Sequence, residues 1–249
     1  MKIIQTVLEN SLFVAQFMAI VFIIFASSYA IEKKFNTINS SRERILNTKK
    51  IVVIGLFSAI SSVLMMIEMP LPFAPPFYKI DLSEVPVLIV TFAYGPVAGV
   101  LTEFCKIVLK LIFRSTNTAF VGELANFVVG CSLILPAGFI YLFIRNKHYA
   151  IIGCVAGTLF MTVFGSAFNA IYLLPKFAQL YGMSLDNIVA MGSSVNPAIN
   201  SIQTLVLFAT VPFNVIKGVF VSGITVLLYK KLSIILRSQG KAAVRAGVN

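Results

Sequence analysis

Long apolar stretches alternate with short polar segments along most of this chain. The apolar stretches fall at residues 11–31, 51–69, 84–95, 97–113, 119–144, 151–174 and 203–228. A helix of about 20 apolar residues is long enough to cross the hydrocarbon core of a bilayer. The pattern therefore predicts seven membrane-spanning helices. The first stretch is too long for a signal-peptide core and lacks a clear A-x-A cleavage site, which favours an uncleaved span.

The dipeptide Gly95-Pro96 separates the third stretch from the fourth. Proline disfavours helical geometry in the residue before it, so a tight break between two short helices is predicted here. One kinked span is the alternative interpretation.

The composition supports the same fold class. Hydrophobic residues make up 58% of the 249 and charged residues only 12%, and the mean hydropathy is +0.93. A soluble domain of this length contains about one quarter charged residues. The sequence therefore predicts an all-α integral membrane protein.

The net charge of +11 is explained by the predicted topology. One side of the membrane receives thirteen Lys and Arg residues, in segments 32–50, 145–150 and the tail from 229. The other side receives four: Lys2, Lys79, Arg114 and Lys176. The positive-inside rule then places the N-terminus outside and the C-terminus in the cytoplasm. The basic residues would contact anionic lipid headgroups, and nucleic acid is not needed to explain them.

We find no catalytic or metal-binding motif in the sequence. Cys105, Cys131 and Cys154 lie in apolar stretches without C-x-x-C spacing, and His148 is the sole histidine. The chain has no P-loop sequence, no G-x-S-x-G elbow and no H-E-x-x-H. We therefore expect neither an enzyme nor a bound cofactor or metal, and any ATP-driven step would need another subunit.

A few ionisable side chains lie at predicted membrane depth: Glu103, Lys106, Lys110, Glu123 and Lys217. A charge at a helix centre costs about 2.5–3.5 kcal/mol on insertion scales, so each needs a partner, water or a ligand. Glu103 and Lys106 are spaced i, i+3 on one helix face, which favours an internal ion pair. Lys217 either contacts a ligand or pairs with Glu103 or Glu123.

Polar residues form stripes at helical spacing on three predicted spans. The stripes are Thr158, Thr162, Ser166, Asn169 and Tyr172; Gln203, Thr210, Asn214 and Lys217; and the pair Glu123 and Asn126. Each stripe alone is explained by hydrogen bonding between helices. Three stripes biased toward the outer half, beneath the proline- and aromatic-rich loop 69–84, favour a polar-lined ligand pocket. The long outer loop 175–201 is a second candidate lid.

Three stretches of the chain together resemble the riboflavin-specific S components (RibU family) of energy-coupling factor (ECF) transporters. They are "FYKIDLSEVPVLIVTFAYGPVAGVLTEFCKIVLKL", "GELANFVVG" and "PFNVIKGVFVSGITVLLYKKL", whose "KID", "GPVAG", "GELANF" and "PFNVIKG" elements keep the family spacing. The resemblance covers about residues 50–232 and implies a six-helix S-component domain there. Residues 1–49 would add an extra N-terminal transmembrane helix and a basic cytoplasmic linker, and residues 233–249 a basic cytoplasmic tail.

The resemblance implies that riboflavin is the transported ligand, captured at the extracellular face of a bacterial cell membrane. Delivery would require a transmembrane coupling subunit and two cytoplasmic ATPase subunits. The positions that match the family's coupling contact are Gly55 and Ala59, with Ser58 and Ser62 nearby; packing within the chain is the alternative for this pair.

The chemistry of riboflavin suits specific residues of this chain. Its flat ring needs an apolar slot. Its imide edge and hydroxylated tail need side chains that both donate and accept hydrogen bonds. The loop residues Leu71, Pro72, Phe73, Phe77 and Tyr78 are candidates to cover the ring. The candidates for polar contacts with the ligand are Asn126, Asn169, Tyr172, Asn214 and Lys217. Glu84 and Asp81 are expected at the outer mouth, where Lys79 and Asp81 form an alternative structural pair.

Three functional hypotheses follow. The first is a riboflavin-binding S component, and the second is an S component for another vitamin or for flavin nucleotides. The third is a membrane enzyme or assembly factor, which would require a nucleophile–base pair or a metal cluster that the sequence does not offer.

Overall fold

The computed structural model describes residues 2–39 and 44–245, and the side chains of 6–39 and 44–228. Helices make up almost all of it: α1 (Lys2–Glu9), α2 (Ser11–Ile38), α3 (Thr48–Met66), α4 (Glu84–Tyr94), α5 (Pro96–Phe113), α6 (Val121–Phe143), α7 (Lys147–Tyr181), α8 (Leu185–Ser193) and α9 (202–245). Strands β1 (Met69–Pro70) and β2 (Lys79–Ile80) form a short antiparallel hairpin between α3 and α4. The predicted all-α membrane fold is confirmed. Parts of the predicted linker (40–43) and tail (246–249) lie outside the described residues.

Five described helices are long and apolar enough to cross a membrane: α2, α3, α6, α7 and the part of α9 up to Leu228. Helix α5 matches the fourth predicted stretch but contains three charged residues. Helix α4 has 11 residues, and at about 1.5 Å per residue it is shorter than a bilayer core. It is instead enclosed by other helices, and Val87, Leu88 and Val90 have no exposed surface.

The predicted break at Gly95-Pro96 is confirmed. Gly95 has φ +102°, a conformation that L side chains rarely adopt, and Pro96 is the first residue of α5. Proline suits this position because the first-turn N–H groups have no partner within the helix. The turn therefore reverses the chain from α4 into α5.

Helices α7 and α9 contain π-helical turns. They lie at Met161–Gly165 and Asn169–Leu173 in α7 and at Val206–Thr210 in α9. A π turn accommodates an extra residue and rotates the side chains that follow it relative to a regular α-helix. This rotation decides which polar residues of the two stripes face the interior.

Helix α2 packs against the bundle formed by the other helices. Phe13, Phe17 and Val21 belong to the main apolar core, and the ring of Phe17 lies 6.2 Å from that of Phe127 in α6. Close to its end, Phe35 contacts Phe143 edge to face. The predicted extra helix is thus in contact with α5 and α6.

Candidate functional site

A cavity of about 600 Å³ lies at one end of the bundle. Its wall combines the end of α3, the hairpin, the end of α5, the start of α6, the later part of α7 and the start of the long α-helical part of α9. These helix ends lie on the side that the sequence predicts to be outside. Its volume is within the range of small-molecule sites, about 300–1,000 Å³.

Six of the predicted contact residues line this cavity: Phe77, Tyr78, Asn126, Asn169, Asn214 and Lys217. They come from the hairpin loop, α6, α7 and α9, so the fold gathers polar residues that are far apart in the chain. The Nδ2 of Asn214 donates to Ser166 Oγ at 3.0 Å, and that of Asn126 donates to the Gly122 carbonyl at 2.9 Å. These bonds fix the orientation of both amides.

The other five predicted contact residues lie outside the lining. Leu71 and Phe73 pack in the apolar cluster of the loop, and Pro72 is exposed. Glu84 is buried behind the cavity, so its expected position at the outer mouth is wrong. Tyr172 donates to Gln16 Oε1 of α2 at 3.0 Å. The π turn that begins at Asn169 explains this, because it rotates Tyr172 away from the stripe.

A buried charge cluster lies beside the cavity. It contains the carboxylates of Asp81, Glu84 and Glu103 and the ammonium groups of Lys106 and Lys217, each with at most 6% of its surface exposed. Their formal charges sum to −1. Removing one member of such a buried charge cluster destabilises the fold, because it leaves an uncompensated charge.

The pairings in this cluster correct the sequence interpretation of Lys217. Its Nζ lies 2.9 Å from Glu84 Oε1 and 3.5 Å from Asp81 Oδ2. The expected partners, Glu103 and Glu123, are occupied by other lysines. The helical period relates residues within one helix, and no sequence pattern shows that α4 places Glu84 opposite α9.

The predicted ion pair within α5 is confirmed. Lys106 Nζ lies 2.7 Å from Glu103 Oε1 and 3.3 Å from Glu84 Oε1, and it donates to Ser83 Oγ at 2.9 Å. Lys106 therefore joins α5 to the first turn of α4 and shares Glu84 with Lys217.

Asp81 connects the cluster to the cavity, which it lines. Burial alone would raise the pKa of Asp81, but the ammonium groups of Lys217 and Lys106 outweigh it. The pKa therefore lies below its ordinary value, and Asp81 is a carboxylate at neutral pH. It also accepts a hydrogen bond from the Ser83 N–H at 2.8 Å.

Further ion pairs lie at the cavity mouth. Glu68 contacts Lys79 at 2.5 Å and Arg114 at 3.6 Å, so the suggested pairing of Lys79 with Asp81 is wrong. Lys110 contacts Glu123 at 2.7 Å. The side chains alternate along β2, but the sequence does not show that residue 79 faces the end of α3.

Apolar side chains complete the cavity wall, and sequence reasoning missed most of them. Val129, Leu173, Phe177 and Phe213 line it between the polar groups. Phe213 directly precedes Asn214, and Leu173 and Phe177 flank the proline at 175, but isolated apolar residues carry no signal in an apolar span.

An all-helical membrane protein with a polar-lined cavity at one end of its bundle fits a small-molecule binding component. The sequence profile of the family "ECF transporter, substrate-specific component" matches residues 49–229, and the chain belongs to this family. It is a transport component and not an enzyme. Helix α2 lies outside the matched region.

Individual relatives agree with the family. The chain is 36% identical to a riboflavin transporter RibU of Staphylococcus aureus, over 76% of this chain and 93% of the relative. It is 31% identical to the riboflavin transporter FmnP of Bacillus subtilis, over 80% of this chain and 100% of the relative. A solved structure, described as the S component of a bacterial ECF transporter, aligns with a TM-score of 0.59 at 35% identity. That alignment covers 76% of this chain and 97% of the solved one.

Proposed function

We propose that this protein binds riboflavin in the cavity and serves as the riboflavin-specific subunit of an ECF-type vitamin importer. The observation that carries the proposal is the convergence of Asn126, Asn169, Asn214 and Lys217 on one cavity. Membership of a family of transporter substrate-specific components, with relatives named riboflavin transporters, supports the same ligand.

The lining suits the two chemical parts of riboflavin. Amide side chains both donate and accept, which matches the imide edge of the ring and the hydroxyl groups of the tail. The rings of Phe77, Phe177 and Phe213 offer apolar surface for the flat ring system. The other candidate contacts would reach the ligand only if the loop or the helices rearrange around it. They are Leu71, Pro72, Phe73, Glu84 and Tyr172.

Transport requires partners in this proposal. A transmembrane coupling subunit and two cytoplasmic ATPases would supply the energy, and the cavity end would face outward when the vitamin is captured. Gly55 and Ala59 are exposed on α3, whereas Ser62 is buried. Gly55 and Ala59 are therefore the better candidates to meet the coupling subunit, and the remaining outer surface would meet lipid.

A flavin nucleotide is the second candidate ligand. Its phosphate would need free cations at the mouth, but Lys79 and Arg114 share Glu68, and Lys110 pairs with Glu123. A phosphate would have to compete with these carboxylates. The arrangement therefore favours the uncharged vitamin.

The experiment that tests the ligand is a competition on purified protein. Protein from cells grown with flavin should be yellow, and riboflavin should displace the bound flavin more effectively than FMN. Stronger displacement by FMN would move the assignment to the nucleotide. Colourless protein that binds a different vitamin would contradict the proposed function.

A further inference from the structure

Three elements meet at the hydroxyl group of Tyr78. The hydroxyl lies 2.8 Å from Asn169 Oδ1 of α7 and 2.7 Å from Thr210 Oγ1 of α9. Tyr78 itself belongs to the loop between β1 and β2. One hydroxyl group thus ties the loop to two helices.

The directions of these hydrogen bonds follow from the chemistry of the groups. The amide oxygen of Asn169 can only accept, so Tyr78 donates its single proton to it. Thr210 must then donate to the Tyr78 oxygen. Burial raises the pKa of Tyr78, which keeps that proton in place. The result is a chain from Thr210 through Tyr78 to Asn169, and hydrogen bonds in series strengthen one another.

Both helix partners lie at the edge of a π turn. Asn169 is the first residue of the turn Asn169–Leu173, and Thr210 is the last residue of Val206–Thr210. π turns are rare and are found often at functional sites. Here two of them contact each other across the helix interface at the point where the tyrosine enters.

The three residues differ in their relation to the cavity. Tyr78 and Asn169 line it, whereas Thr210 is not part of the lining and is 1% exposed. Thr210 therefore acts on the cavity through Tyr78. The ring of Tyr78 also packs on Phe213, with ring centroids 5.1 Å apart, and these apolar contacts remain if the hydroxyl of residue 210 is removed.

We infer that Thr210 is a positioning residue that holds the loop 71–78 closed against α7 and α9 through the Tyr78 hydroxyl. The inference deepens the proposed function, on which it rests for the identity of the ligand. Without the Thr210 hydroxyl, the Tyr78 oxygen loses its donor and the loop opens more often. Bound riboflavin is then released faster.

The first test is independent of any ligand. Ala74 lies in the same loop and is 3% exposed, so a cysteine placed there by Ala74→Cys reacts with a maleimide only when the loop opens. Labelling at position 74, quantified by peptide mass spectrometry, should be about fivefold faster with Thr210→Val, as expected for one lost buried hydrogen bond. Thr210→Ser keeps the donor and should restore the slow rate.

The matched control is Thr225→Val. Thr225 is 1% exposed on the same helix, and its hydroxyl donates to the Val221 carbonyl within that helix. The Thr225→Val substitution should leave the labelling rate at position 74 unchanged. Equal rates for Ala74→Cys with and without Thr210→Val, or an equal acceleration by Thr225→Val, would overturn the inference.

The second test uses the unmodified loop and measures riboflavin dissociation by stopped-flow fluorescence. Thr210→Val should release riboflavin about fivefold faster, and Thr210→Ser and Thr225→Val should match the wild type. Unchanged release from Thr210→Val would overturn the role of Thr210. A wild type that binds no riboflavin would refute the proposed function, while the labelling experiment would still decide the closure of the loop.

Discussion

Lys217 combines two roles at the scale of a single residue. It lines the cavity, and its ammonium group contacts Glu84 and Asp81. A simple loss of binding on mutation would therefore not distinguish a ligand contact from a disturbed charge cluster. Pairing the mutation with a compensating one separates the two roles.

We expect Lys217→Met to weaken riboflavin binding by at least about tenfold, the equivalent of one charge-assisted hydrogen bond. It should also lower stability, because Asp81 loses its nearest cation. The double variant Lys217→Met with Asp81→Asn removes one charge of each sign and should regain much of the thermal stability without regaining affinity. Isothermal titration and thermal unfolding measure the two effects. Recovery of affinity in the double variant would assign Lys217 a structural role alone.

The residue scale also shows where sequence periodicity stops being informative. Three residues of the predicted stripes, Asn169, Asn214 and Lys217, line the cavity, and Asn214 and Lys217 lie one turn apart in the regular α-helical part of α9. Tyr172, of the same stripe as Asn169, lies outside the cavity lining because the π turn Asn169–Leu173 rotates it away. π turns have no sequence signal in an apolar span. Likewise, the ion pairs between helices depend on packing that sequence spacing does not encode.

At the scale of elements, α2 is joined to the bundle by a buried carboxylate. Glu32 is 3% exposed, and its Oε2 accepts a hydrogen bond from the Val97 N–H in the first turn of α5 at 2.9 Å. The side chain also fills the space beside Gly95, where any added Cβ would lie 2.5 Å from Glu32 Oε1. A carboxylate suits the positive end of the α5 dipole.

We predict that Glu32→Ala lowers the free energy of unfolding by about 1–3 kcal/mol, the value of a charged hydrogen bond to a helix N-terminus. Thermal unfolding in detergent should show a lower midpoint. Riboflavin affinity in the cold should be retained, since Glu32 lies outside the lining. Asp186→Ala, which removes an exposed carboxylate of α8, is the control. An unchanged midpoint for Glu32→Ala would show that this contact does not stabilise the bundle.

Helices α6 and α7 pack closely through glycine. A Cβ at Gly157 would lie 2.3 Å from the Leu133 carbonyl oxygen, a backbone atom that cannot rotate away, whereas one at Gly223 of α9 would meet nothing within 4 Å. We expect Gly157→Ala to force the helices apart and destabilise the protein by about 1–3 kcal/mol. Gly223→Ala should be tolerated. Equal thermal midpoints for both variants would contradict this close packing.

At the scale of the whole molecule, α3 presents the surface proposed for the coupling subunit. Gly55 has open space around it, and Ala59 is exposed one turn later. We predict that Gly55→Leu leaves the fold and riboflavin binding intact but reduces uptake and capture of the coupling subunit by at least about tenfold. Gly223→Leu, also in open space, is the control. Normal uptake by Gly55→Leu would move the docking surface elsewhere.

The overall architecture was largely predictable from the sequence because apolar length and the Gly95-Pro96 break are local signals. The hydrophobic pattern did not show that α4 is enclosed by other helices, since a continuous apolar run looks the same facing lipid or protein. Nor did it show that α2 packs on α5 and α6. Those features depend on contacts between distant segments.

The central claim is that the cavity binds riboflavin, and isothermal titration of the purified protein tests it most directly. We predict saturable binding with one riboflavin per chain. Ala125 lines the cavity, so Ala125→Phe should fill it and weaken binding by at least about tenfold. No binding of riboflavin by the wild type, or unchanged affinity in a folded Ala125→Phe variant, would contradict the claim.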